Sequence, residues 1–208
     1  MLFSQLIQKL IQDTTEKSLP LFSVELCLCV TIVLMLLVRL LGADRLLPAC
    51  VVAVIGAASA LACSWMQYRE LYGAPEPVST TFFTGMLIHD SFTVYFRAFL
   101  SLFLLLTVAL TSLTGIPDEE DSPDFYSLLF GATIGMMMMA SSNSLLMLFL
   151  SVEMASVPSY AMVGFLKGRK ASSEAALKYV VYGAGAAGVM LYGISLLAGV
   201  LEIGRAHV

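Results

Sequence analysis

Long apolar runs separated by short polar stretches dominate the chain. A helix needs about 20 apolar residues to cross the hydrocarbon core of a bilayer. Six runs are of this kind: residues 19–41, 46–66, 92–113, 125–140, 145–166 and 175–201, the fourth being short. Strands of a closed barrel would alternate apolar and polar positions over about 9–11 residues, and these runs do not alternate. A helix satisfies its own backbone in lipid. The pattern therefore predicts an all-α, polytopic transmembrane helix bundle of about six spans over residues 19–201.

Residues 1–18 form a different pattern. Phe3, Leu6, Ile7, Leu10 and Ile11 recur at helical spacing, with Gln5, Gln8, Lys9 and Gln12 elsewhere on the wheel. This N-terminal amphipathic segment reads either as a helix lying in the membrane interface or as an extension of the first span. Between the second and third runs, residues 67–90 hold Gly73, Pro75 and Pro77 and read as an irregular loop. TGIPDEEDSPD, residues 114–124, is an acidic, solvated loop. SSNS, residues 141–144, is a tight turn able to cap the helix after it.

Composition sharpens this picture. The chain is 59% hydrophobic and 12% charged, with a mean hydropathy of +0.88, against about 25% charged residues in a soluble domain. The net charge of −4 says little, since most acids cluster in loops, and no basic patch suited to nucleic acid appears. Cys27, Cys29, Cys50 and Cys63 all sit in apolar runs without metal-ligand spacing and read as packing residues. The N-terminus lacks the basic, apolar, small-residue sequence of a cleaved signal peptide. If the N-terminus is outside, the inner side carries Arg39, Arg45, Lys167, Arg169 and Lys170, and the outer side Lys9, Lys17 and Arg69. The positive-inside rule then favours an outer N-terminus.

Ionisable residues at membrane depth carry the candidate chemistry. Glu25 and Arg97 lie near the starts of the first and third spans, where snorkelling to the headgroups makes them anchors. Glu153 is eight residues inside a run of 22, about 12 Å from its end at 1.5 Å per residue. A carboxylate there must bind a proton, pair with a cation or face internal water. Those are the conditions of a proton relay; a carboxyl hydrogen-bonded between helices is the structural alternative. Pro158 has no N–H, so it deprives the carbonyl of Met154 of its helical donor and marks a kink. That kink either admits water or serves packing. Lys178, early in the sixth run, is either a partner of Glu153 through water across roughly 10 Å or an interfacial lysine.

Other signals carry less. GAGAAG, residues 183–188, fits a dinucleotide fingerprint but lies inside an apolar run rather than after a strand. Gly183 with Ala187 and Ala184 with Gly188 instead favour close helix packing. The methionine run 136–139 reads as soft packing, and His89 as a surface residue. The ending EIGRAHV matches a translation of a common sequencing adapter, GAG ATC GGA AGA GCA CAC GTC. Residues 202–208 are accordingly expected to be a non-native tail, the alternative being a genuine short one.

Two stretches together carry a resemblance. DFYSLLFGATIGMMMMASSNSLLMLFLSVEMASVPSYAMVGF and SSEAALKYVVYGAGAAGVMLYGISLL resemble the antiporter-like N subunits of NADH-quinone oxidoreductase, respiratory complex I. Weaker likeness extends to LPLFSVELCL and LIHDSFTVYFRAFL. The resemblance implies a fragment of a fold of about fourteen helices, related to Mrp-type antiporter subunits. It implies that Glu153 is the ionisable glutamate of the fifth helix and Lys178 the lysine of the sixth, both in proton translocation. NAD, FMN, iron–sulfur clusters and quinone would belong to partner subunits, with no cofactor or metal on this chain. Partners would be other complex I membrane subunits and lipid, and the location a bacterial inner membrane. Only six of the expected helices are present and the later lysines are missing, so the fragment alone is expected to be inactive. A subunit of an Mrp-type antiporter or related hydrogenase complex, and a scaffold without transport, are the alternatives.

Overall fold

The structure, a computed structural model, describes residues 11, 13–42, 47–73, 79–115, 122–166 and 169–200. Most of the N-terminal amphipathic pattern, Arg45, Lys167 and the tail 202–208 lie outside the described residues. Six long helices follow one another: α1 (Ser23–Leu40), α2 (Ala49–Gly73), α3 (Ser91–Thr114), α4 (Ser122–Ser141), α5 (Leu145–Val163) and α6 (Lys170–Val200). A wide helical turn over Asp13–Ser18 and a short turn over Leu19–Leu21 lead into α1. All except α4 are long and apolar enough to cross a bilayer.

α4 is the central helix. It packs against α1, α2, α3 and α5 and buries Tyr126, Phe130, Ile134 and Met137. These meet Leu28 and Met35 of α1, Ala53 and Ala57 of α2, and Leu104 and Val108 of α3 in one apolar cluster. Hydrophobic burial does not drive helices together within lipid, so tight van der Waals fit has to hold this cluster. α6 lies at the margin, packed on α5 with no buried residue among the 31 of its length.

Outside 74–78, which lie beyond the described residues, the stretch between α2 and α3 holds regular structure where its glycine and prolines predict an irregular loop. α2 continues to Gly73, with Trp65, Tyr68 and Tyr72 stacked in sequence along its last turns. Strands β1 (Thr80–Phe82) and β2 (Leu87–His89) then form an antiparallel hairpin, with Phe82 opposite Leu87. Its loop turns through three successive left-handed residues, Phe83 (φ 49°), Thr84 (φ 54°) and Gly85 (φ 82°). Only the glycine adopts that conformation without steric cost.

The hairpin closes one end of the bundle. Asn143, in the turn between α4 and α5, donates its backbone N–H to Met86 O (2.9 Å) and its Nδ2 to Gly85 O (2.8 Å). Ser18 Oγ accepts from Phe83 N, and Phe22 meets the Phe83 ring edge-on. Asp90 caps α3 by accepting from Thr93 N, and Ser144 caps α5 by accepting from Met147 N.

Candidate functional site

α5 is seated on α4 through two glycines one turn apart. A Cβ at Gly131 would meet Pro158 Cγ at 3.8 Å, an ordinary contact. A Cβ at Gly135 would lie 2.5 Å from Ala155 N and 2.8 Å from Met154 C. No side chain fits there, so the backbone of α5 beside Glu153 rests directly on α4. Pro158 sits within an unbroken α5, its ring turned toward Gly131.

Glu153 is half-buried and has no hydrogen-bond or ion-pair partner among the described residues. Ser156 and Tyr160 follow it at three and seven residues, on the same helical face. The Ser156 hydroxyl donates to Val152 O (2.7 Å) and that of Ser159 to Ser156 O (2.6 Å). Ser159 Oγ also lies 3.3 Å from the Tyr179 hydroxyl on α6, and the Tyr160 and Tyr179 rings meet edge-on at 4.7 Å. Tyr160 fills the space that a Cβ at Gly183 would need, at 2.0 Å from its hydroxyl. Of the small residues in GAGAAG, Gly183 thus serves packing, whereas Gly188 faces open space.

Glu153 and Lys178 are not brought together. Lys178 Nζ pairs with Glu174 Oε1 at 2.6 Å, one turn back on its own exposed face. Gly164 lies against Ala176, so in these antiparallel helices Lys178 is level with Met162. That is nine residues from Glu153, about 13 Å along the helix. Ser156, Ser159, Tyr160 and Tyr179 occupy the interval.

A second polar centre corrects the reading of Glu25 and Arg97 as headgroup anchors. Both are 0% exposed, and they pair with each other. Arg97 Nε donates to Glu25 Oε1 at 2.7 Å. Its Nη1 donates to Leu21 O (3.0 Å) and Gln67 Oε1 (3.3 Å) and lies 3.2 Å from His89 Nδ1. Gln67 Nε2 in turn bonds Ser23 Oγ at 3.0 Å, and the guanidinium carbon lies 5.9 Å from the centre of the Phe82 ring. Snorkelling is unnecessary because each charge meets the opposite one, on α1 or α3, inside the bundle. His89 is likewise buried, not a surface residue. Burial first, and the Arg97 charge second, push its imidazole down to about 4 against the opposing pull of Asp90. At neutral pH its Nδ1 is therefore free to accept from Arg97. Opposite charges near the starts of the first and third spans are the one sequence feature these residues share, and it does not by itself pair them.

Among the described residues, no three His, Cys, Asp or Glu side chains gather in a metal-holding group.

Residues 142–203 match the family model described as NADH:quinone oxidoreductase/Mrp antiporter, TM. NADH-quinone oxidoreductase subunit N 2 of Chloroherpeton thalassium is 42% identical over 57% of this chain and 24% of its own length. NAD(P)H-quinone oxidoreductase subunit 2 of Gloeobacter violaceus is 36% identical over 84% of this chain and 33% of its own. A chain of respiratory complex I from Thermus thermophilus, solved with bound aureothin, superimposes with a TM-score of 0.65 at 28% identity. That match covers 85% of this chain and 36% of the other. The chain therefore spans about a quarter to a third of the length of the curated relatives it matches.

Proposed function

We propose that this chain, a relative of the antiporter-like N subunits of NADH-quinone oxidoreductase, is part of a membrane-arm subunit that moves protons while partner subunits carry electrons. The observation that carries the proposal is Glu153, an intramembrane carboxyl without a partner among the described residues, on a helix locked against α4 by Gly135. An intramembrane acid is costly unless it protonates or meets water, and a relay uses both states. Lys178 is the second charge of the relay. Ser156, Ser159, Tyr160 and Tyr179 line the interval between them, where hydroxyls and water can pass a proton by short steps. Pro158 leaves the Met154 carbonyl available to such water.

In this reading NAD, FMN, iron–sulfur clusters and quinone are held by other subunits of the complex. The chain sits in a bacterial inner membrane with its N-terminus outside, surrounded by lipid and other membrane subunits. The antiporter half of the family description keeps a second reading in view, an Mrp-type cation/proton exchanger. The quinone-oxidoreductase names of the relatives favour the first.

The test is Glu153→Gln in the full-length subunit within the assembled complex. Electron transfer from NADH to quinone and proton uptake into inverted membrane vesicles are measured together. Loss of pumping with normal assembly is expected. Pumping at the wild-type level would reduce the bundle to a scaffold.

A further inference from the structure

In and beside the Glu25–Arg97 pair, three polar atoms have no hydrogen-bond partner among the described residues. They are Glu25 Oε2, Arg97 Nη2 and Ser101 Oγ, and all are buried. Arg97 Nη2 lies 2.7 Å from Glu25 Oε1 as an ion-pair contact, but not in hydrogen-bond geometry; Oε1 accepts from Nε. The pair is thus engaged through one carboxylate oxygen, leaving the other oxygen and an N–H unanswered.

Ser101 stands out among the buried hydroxyls of the bundle. Thr31, Ser64, Thr133, Ser141 and Ser151 each donate back to a carbonyl three or four residues earlier on their own helix. Ser101 does not, although it is fully buried. It follows Arg97 by four residues, so the two side chains share one face of α3, their Cβ atoms about 5–6 Å apart. Its hydroxyl is therefore placed on the same face of α3 as the ion pair, one turn further along.

We propose that these three groups form a binding site for a water molecule inside the bundle. They present one donor (Arg97 Nη2), one acceptor (Glu25 Oε2) and one group that is either (Ser101 Oγ). Buried waters typically make about three hydrogen bonds to polar groups left unmatched by the protein. A cation would be repelled by Arg97 and an anion by Glu25, so a small neutral donor–acceptor is the ligand that fits. The water extends the polar string that begins at His89 in the hairpin. It carries that string to Ser101, ten residues along α3 and about 15 Å deep. The site is separate from Glu153 and Lys178: it joins α1, α2 and α3 under the hairpin, whereas those residues sit on α5 and α6.

The experiment is a cryo-electron microscopy map of the assembled complex with the full-length subunit, at a resolution that shows ordered water. The expected result is a density peak within about 3.2 Å of all three atoms. In Ser101→Ala the ion pair is retained and the peak is lost or displaced toward the charges. The proposal is overturned if the wild-type map shows no peak there. Glu25 and Arg97 would then be expected in bidentate contact, with the Ser101 hydroxyl turned onto the Arg97 carbonyl. An unchanged peak in Ser101→Ala also counts against the site as drawn.

Discussion

Gly135→Ala tests the seat of the proposed relay helix directly. The new Cβ would stand 2.5 Å from Ala155 N and 2.8 Å from Met154 C, while ordinary contact begins at 3.4 Å. Both neighbours are backbone atoms in mid-helix and cannot rotate aside. α5 must therefore move away from α4 by close to 1 Å, a gap that forfeits about a quarter to a half of the dispersion attraction along the seam. Gly131→Ala is the matched control, because its Cβ would meet only Pro158 Cγ at 3.8 Å. Both variants gain about 1 kcal/mol of helix propensity, so the difference between them isolates the overpacking, about 1–3 kcal/mol. The assay is thermal release of the subunit from the purified complex, read beside the protons moved per NADH oxidised. Gly135→Ala should lower the release temperature and the pumping ratio; Gly131→Ala should leave both near wild type. Equal behaviour of the two variants would refute the close seat.

Two further predictions concern the hairpin. His89 has a folded value near 4 against an ordinary 6.5. A lowered value means that the unfolded form takes up the proton first. The stability His89 permits is complete above 6.5 and falls away as pH drops toward 4, by roughly 3 kcal/mol at the limit. Amide exchange in Leu87–His89, corrected for intrinsic rates, should accelerate over that window and be flat in His89→Gln; the same acceleration in the variant would remove His89 as the cause. Thr84 holds φ 54°, where a β-branched residue costs about 1–2 kcal/mol, so Thr84→Gly should slow hairpin amide exchange. Faster exchange would show that the threonine side chain contributes more than its strain removes.

The helical membrane fold was legible because a bilayer imposes a length and an apolarity that can be counted along a sequence. Glu153 stood out for the same reason, lying too deep to reach the headgroups. Glu25 and Arg97 were misjudged because each lies near a helix end, where a long side chain has an exit. Nothing in the local pattern says that residues 72 positions apart share a pocket. The hairpin was hidden in strands of three residues each, too short to show alternation. GATIG, residues 131–135, displays its two glycines openly. What the sequence does not display is which neighbour comes close enough to need them.

The turn before α5 is stitched to the hairpin by Asn143 and by the pairing of Leu87 with Ser142. That makes the hairpin end of α5 a fulcrum. A swing of α5 about it displaces Glu153, eight residues along, only half as far as the helix's distal residues near Tyr160 and Val163. The lever arm is therefore shorter at the carboxyl than at Tyr160, where α6 packs on α5.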